Sequence, residues 1–360
     1  MANQEPVIVG VGMMTAVGLS APETAAAVRA TTMRFTESTI RDQRLEALTL
    51  AEVPEEGLPP LVDALQKEPG LSAREKRLLR LATGPIAECL AGLPDGQPAP
   101  GLILALPELQ TTRPLDANGF LGHLWKQCGG RFDAKRSAAV DLGRAGGLIA
   151  IARAAEAVRT HPSNFMIAGG VDTYRDLYIL ATLDSQKRVK SATHLDGFIP
   201  GEAAAFVLLA SAGAAAAANL TPLASVSRVA QAVETGHLYS AEPYRGDGLA
   251  AVVTQLVQAG VMNGPIAEVW SSMNGEHHWA KEWGVAFLRN RPAFADPHGM
   301  HHPADCYGDT GAACGPSMVA LQVIGMKAKY RNAPALVYGS SDHGSRAALA
   351  IGTVANNRNA

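Results

Sequence analysis

Aromatic residues are scarce: Phe, Trp and Tyr together make up 5% of the 360 residues. A core with so few rings must be filled by small and branched aliphatic side chains. Net charge is nearly absent too, at a formal -2. No basic footprint marks a nucleic-acid surface, so no nucleic-acid partner is expected. No uninterrupted apolar run is long enough to span a bilayer, so no membrane partner is expected either. Met1–Pro6 lacks the charged start and apolar stretch of a secretory signal, which leads us to expect a cytoplasmic location. Cys89, Cys128, Cys306 and Cys314 show no paired zinc spacing and read as reduced thiols. What is present is 47% hydrophobic and 18% charged, a globular composition with a sizeable core. Abundant Ala and Gly let helices and sheets approach closely. The length suits one large domain or two ordinary ones.

Pro6–Gly12 is a short β-branched run closed by glycines, which reads as a buried strand followed by a turn. Ser20 is placed to cap the next helix, with Pro22 in its first turn and Glu23 three residues on. Residues 34–80 are more polar and read as a surface excursion. Leu61–Leu65 and Ala73–Ala82 within it have amphipathic helical spacing. Gly101–Leu106 reads as another buried strand. Beyond it the chain carries an internal echo. A glycine turn and helix over Gly143–Val158 lead to the strand Asn164–Asp172. Tyr307–Ala313 opens a second helix, running to about Tyr330, which leads to Ala335–Asp342. Turn, small-residue helix, apolar strand, Gly and Asp thus occur twice. Strand–helix–strand units favour a parallel sheet covered by helices. We therefore expect an internally duplicated α/β fold with halves at 1–215 and 216–360. Ala212–Ala218 is read as the linker or helix between them.

Asp141–Ile151 reads as a tight turn feeding a small-residue helix. It resembles the nucleophile elbow of the β-ketoacyl synthases in the thiolase superfamily. Val7–Gly18 resembles that family's first strand and turn, "TGxGxVTPxG", and Phe165–Val171 its "AGG" strand. Leu195–Leu209 resembles "RDGFVxGEGAGxLVLE" through most of its length. The resemblance implies a thiolase-like five-layer αβαβα fold. The chemical residues depart from the family pattern. Arg144 stands where the family has its cysteine, and an arginine cannot act as a nucleophile at neutral pH. Cys306–Ala313 resembles the "YGNTSAA" turn of the starter synthases, with Asp309 in place of asparagine. A catalytic histidine of the family should come after a strand near Val269–Ser272. Met273-Asn274-Gly275-Glu276 stands there, without His-Gly-Thr-Gly-Thr. The degenerate site positions are thus Arg144, Asp309 and Asn274. If the fold is as implied, Arg144 and Asp309 form an ion pair that fills the old centre. A buried pair of this kind needs further hydrogen bonds.

Other constellations point to less. Cys306 is the candidate alternative nucleophile, with His301, His302 or His343 as base, against the plainer reading of a packed thiol. His277-His278, His301-His302 and Asp305 read as polar loop residues rather than a metal site. Adjacent histidines on a strand face opposite ways. Ser340–His343 holds the residue types of a hydrolase triad, but triad members meet in space, not along a string. Gly10-Val11-Gly12 lacks the third glycine of a dinucleotide fingerprint, Thr15 standing there, so no cofactor is expected.

The resemblance implies a non-catalytic protein acting through protein binding, in an accessory, adaptor or co-chaperone role beside a secreted effector. One alternative is a chain-length-factor-like partner of an active ketosynthase in fatty acid or polyketide synthesis. Another is an acyltransferase or hydrolase with a relocated nucleophile. The missing threonine motif weakens the case for acyl-carrier-protein binding. In the family the strand after the elbow helix pairs across a two-fold axis. Here that strand is Asn164–Val171. The expected partners are accordingly a second copy or an active ketosynthase.

Overall fold

The computed structural model describes residues 4–110, 112, 114–262 and 264–354. The first three residues of the Met1–Pro6 stretch, read for a signal, lie outside the described residues. The strands are β1 (Pro6–Thr15), β2 (Thr36–Arg41), β3 (Ala47–Leu50), β4 (Gly101–Ala105), β5 (Asp133–Val140), β6 (Met166–Thr173) and β7 (Glu202–Ser211). They continue as β8 (Ala224–Val226), β9 (Ala230–Val233), β10 (Ile266–Ser271), β11 (Phe294–His301), β12 (Ala335–Ser340) and β13 (Ser345–Gly352). The helices are α1 (Ala21–Arg29), α2 (Asp63–Gln66), α3 (Ala73–Leu90), α4 (Ala117–Gln127), α5 (Gly143–Thr160) and α6 (Leu177–Ser185). After them come α7 (Ala212–Ala217), α8 (Asp247–Gln258), α9 (His277–Asn290), α10 (Ala304–Tyr307) and α11 (Cys314–Lys327).

One path of strands runs β11-β10-β12-β13-β8-β1-β7-β6-β4-β5. It repeats a single pattern. β5, β4 and β6 are parallel, and β7 and then β1 join antiparallel. β11, β10 and β12 are likewise parallel, with β13 and then β8 antiparallel. β8 joins the two sets, pairing β1 through Val7↔Ser225 and β13 through Ile351↔Val226. Helices α5 and α11 touch strands of both sets and each other, so they form the central layer. α3 covers β1, β6 and β7 from one side, and α8 covers β9 and β13 from the other. The result is the mixed five-layer αβαβα fold that the resemblance implied.

Small side chains make the central layer possible. Ala145, Ala150 and Ala154 of α5 are buried with Met318, Val319 and Ala320 of α11 in one core cluster. Ser20 caps α1 by accepting from the Glu23 N–H. Ser72 and Glu75 form a reciprocal capping box at the start of α3. That helix continues past the expected end at Ala82 to Leu90.

Three expectations need correction. Gly10 and Gly12 do not turn the chain; β1 passes straight through them to Thr15. They are glycines because α3 presses on the strand. A Cβ on Gly12 would sit 2.0 Å from the Pro85 carbonyl oxygen, and one on Gly10 2.3 Å from that of Cys89. His277 and His278 lie in the first turn of α9 rather than in a loop. His277 faces Asp196 at 2.8 Å, while His278 lies against Tyr244 and Trp279. Third, the strand within Asn164–Val171 is not an edge. β6 is paired by β4 on one side and β7 on the other, and all eight of its residues are buried. The outer strand of that half is β5. Its apolar character reflects burial between two helix layers rather than pairing across a two-fold axis.

Candidate functional site

The elbow forms where α5 leaves the loop after β5. Gly143 adopts φ of +56°, and a Cβ there would sit 2.7 Å from Glu108 Cγ. Glycine is needed on both counts. The turn sends Arg144 inward, 3% exposed. Its Nη1 donates to Asp309 Oδ2 at 2.6 Å and its Nε to the Ser340 carbonyl at 2.9 Å. Its Nη2 pairs with Asp342. The guanidinium lies 4.7 Å from the centre of the Trp279 ring.

Asp309 also accepts from Asn274 Nδ2 at 2.8 Å and from the Gly311 N–H at 2.8 Å. The same Asn274 nitrogen lies 3.0 Å from Glu276 Oε2. Arg188 holds Glu276 with two bonds, at 2.7 and 2.8 Å, and Asp342 Oδ2 with a third at 2.7 Å. Arg144, Asp309, Asn274, Glu276, Arg188 and Asp342 therefore close a ring of hydrogen bonds. Trp279 Nε1 adds a bond to Glu276 at 2.9 Å.

The arrangement is electrostatically tight. Burial alone would lower the Arg144 pKa, but Asp309 and Asp342 hold the guanidinium firmly charged, its pKa well above the ordinary value. Burial would raise Asp342, yet Arg144 and Arg188 keep it below the usual carboxylate range. Buried ions are tolerated when each is paired and its remaining hydrogen-bonding capacity is met. This ring meets that condition. Behind Trp279 lies a second ion pair, Arg346 Nε to Glu282 at 2.6 Å, both residues almost fully buried. Trp279 thus meets two guanidinium groups, with Arg346 5.6 Å from its ring centre.

A cavity of about 270 Å³ opens beside the ring. Ile179, Leu183, Pro107 and Tyr174 supply apolar wall. His343 and Glu108 line it as well, joined Nδ1 to Oε2 at 2.6 Å. Tyr239 stacks on His343 with ring centres 4.8 Å apart.

Cys306 stands apart from this centre. Cys306 is buried with Ala16, Ala51 and Tyr307. Burial, and secondarily Asp305, push its thiol up from the usual value. Of its candidate bases, His301 bonds Glu268 at 2.6 Å, His302 bonds Ser271 at 2.6 Å, and His343 bonds Glu108. Burial pushes the Cys314 thiol up to about 12. Ser340–His343 scatters in the same way. Ser340 Oγ donates to Glu282, Ser341 Oγ to the Leu142 carbonyl, Asp342 faces two arginines and His343 faces Glu108.

The structure brings together Arg144, Asp309 and Asn274 and leaves Cys306 outside. It adds Asp342, Arg188 and Glu276, which sequence reasoning passed over. A signal for Asp342 existed. The internal echo closes each apolar strand with Gly and then Asp, giving Asp172 near the end of β6 and Asp342 just after β12. Asp172 lines the same cavity, meeting Arg74 at 3.2 Å and the Ala312 N–H at 3.0 Å. Glu276 stood in the Met273–Glu276 segment already aligned with the missing histidine motif, whereas for Arg188, a loop residue without a motif, no signal was available.

Residues 136–215 match the family model of the β-ketoacyl synthase N-terminal domain. That stretch contains the elbow, β6 and the Leu195–Leu209 segment. Over those residues the chain is similar to the ketosynthases. Solved structures share the fold over 96–98% of the chain. One is a type II polyketide ketosynthase with its acyl-carrier protein, bound to a hexaketide, at TM-score 0.78 and 13% identity, covering 97% of this chain and 99% of that one. The ishigamide ketosynthase/chain length factor gives 0.77 and 16%, covering 98% and 100%. The ketosynthase from module 6 of the bacillaene synthase of Bacillus subtilis 168 gives 0.77 and 12%, covering 96% and 71%. At these identities the likeness establishes the fold. No curated protein matches the ketosynthase-like chain by sequence.

Proposed function

We propose that this ketosynthase-like protein is non-catalytic and acts by binding other proteins, in an accessory, adaptor or co-chaperone role. The observation that carries the reading is the side chain at the elbow. Decarboxylative condensation needs a thiolate there and neutral donors for the developing negative charge. The elbow instead presents a guanidinium neutralised by Asp309 and Asp342. A carboxylate beside a developing enolate would repel it. The raised pKa values of Cys306 and Cys314 keep both thiols protonated at neutral pH. The unpaired cysteines fit a reducing compartment such as the cytoplasm.

The alternative partner reading, a chain-length-factor-like subunit of an active ketosynthase, draws support from the whole-length likeness to a ketosynthase/chain length factor structure. In either case we place any association along β5, the outer strand of the first half. One experiment tests the main reading. The purified protein is incubated with malonyl-carrier protein and carbon dioxide release is measured. We expect none above background. Turnover that survives Arg144→Ala would overturn the reading and move the chemistry elsewhere. Pull-down from the native host, read by mass spectrometry, then separates a ketosynthase partner from a secreted effector or its chaperone.

A further inference from the structure

A second cavity lies away from the elbow. It measures about 680 Å³, against about 270 Å³ beside Arg144. Ligand pockets fall in the range of about 300–1,000 Å³. It opens at the seam between the two strand sets, where β8 meets β1 and β13. The C-terminal end of α8 forms one wall, and the C-terminal end of α5 contributes from the other set. Its lining therefore comes from regular elements of both halves.

The lining is divided in character. Val226, Val229, Leu256, Val261 and Pro334 supply its apolar part. The two serines are already committed to backbone. Ser225 Oγ donates to the Thr353 carbonyl, while Ser227 Oγ donates to the Arg228 carbonyl and accepts from the Ala350 N–H. The charged groups are Arg159, Arg228 and Glu5. Arg228 is exposed and has no ion pair among the described residues. Arg159 meets Glu156, one helical turn back, at 3.4 Å, and that carboxylate is itself largely in solvent. Around the elbow, by contrast, the arginines are paired to buried or half-buried carboxylates. Two guanidinium groups against one carboxylate leave this cavity with a formal excess of positive charge.

We infer that this seam cavity binds an organic anion with a single oxyanion head and a compact apolar body. The fork of an arginine matches a carboxylate or phosphate oxygen pair, and two such groups supply the head site. The small positive excess fits a head of low charge. Orientation follows the side chains: the head lies toward Arg159 and Arg228, and the apolar body toward Leu256 and Val261. This inference is independent of the elbow and of the proposed function.

Calorimetry with octanoate, octyl phosphate, octanol and octylammonium tests it on the intact protein. We expect saturable binding of at least one of the two anions, weakened by added salt. The tighter anion identifies the head as carboxylate or phosphate. Arg228→Gln and Arg159→Gln should each weaken it about tenfold, in line with loss of one charge-assisted contact. Arg228 is exposed, so its replacement leaves folding intact. Thr182→Trp, which obstructs the cavity beside Arg144, should leave the affinity unchanged. The inference is overturned if neither anion binds, if octanol or octylammonium binds as tightly, or if the Arg159→Gln/Arg228→Gln double variant keeps its affinity. It is equally overturned if Thr182→Trp abolishes binding.

Discussion

One side chain decides most of the local electrostatics. Arg144 neutralises Asp309 and Asp342, and Asp309 then orients Asn274. Removing one partner of a buried pair leaves an uncompensated charge, which costs about 3–5 kcal/mol. Arg144→Met should therefore destabilise the protein by about that amount in urea melts. Combining it with Asp309→Asn should recover at least about 1 kcal/mol, since contacting residues couple. Equal stability of the single and double variants would contradict the ring as described. Arg144→Cys should be destabilised too, and should release no carbon dioxide from malonyl-carrier protein. The new thiol would face two carboxylates, which hold it protonated.

Among the elements, β6 and β5 have opposite environments. β6 is buried on both faces and paired on both sides. Met166→Lys would place a charge in that core, so the expected result is insoluble protein rather than a well-folded monomer. β5 is paired only by β4, and Ala138 within it is exposed. Ala138→Glu should change stability by no more than about 0.5 kcal/mol. Light scattering should then show loss of any assembly that uses this edge, because edge charge opposes strand pairing. An assembly unchanged by Ala138→Glu would exclude β5 as its contact. No described helix is long and apolar enough to cross a membrane.

The whole molecule carries a pH dependence to which three half-buried histidines contribute. His278, His301 and His302 all have pKa values lowered from 6.5, with burial the leading cause in each. Their neutral forms are favoured in the folded state. Below about pH 6.5 the unfolded chain binds these protons more readily, so the histidine contribution falls as the pH drops. Glu282 and Asp172 are raised by burial and act in the opposite direction. A single replacement separates the terms. His302 bonds Ser271 through Nδ1, a contact that glutamine can replace. His302→Gln should make the fall in melting temperature between about pH 7.5 and 5.5 shallower than in the parent. An unchanged slope would mean that His302 does not titrate differently on folding.

The local order of residues was enough for the elbow turn and the repeated turn–helix–strand, because each rests on short-range pattern, while the five-layer fold was what the family resemblance of those segments implied. Glycine before Arg144, small residues along α5 and an apolar β6 are all contiguous signals. The identity of Arg144 alone excluded a nucleophile there, since that is a property of the side chain and not of its surroundings. Contacts across the fold decided the rest. Gly10 and Gly12 look like a turn until α3 is laid against them. β6 looks like an edge until β4 and β7 flank it. The ring around Arg144 joins residues up to 198 positions apart, Arg144 to Asp342, and no spacing along the chain encodes that meeting. Such pairings are set by how the layers stack, and burial then selects the charge partners that can survive there.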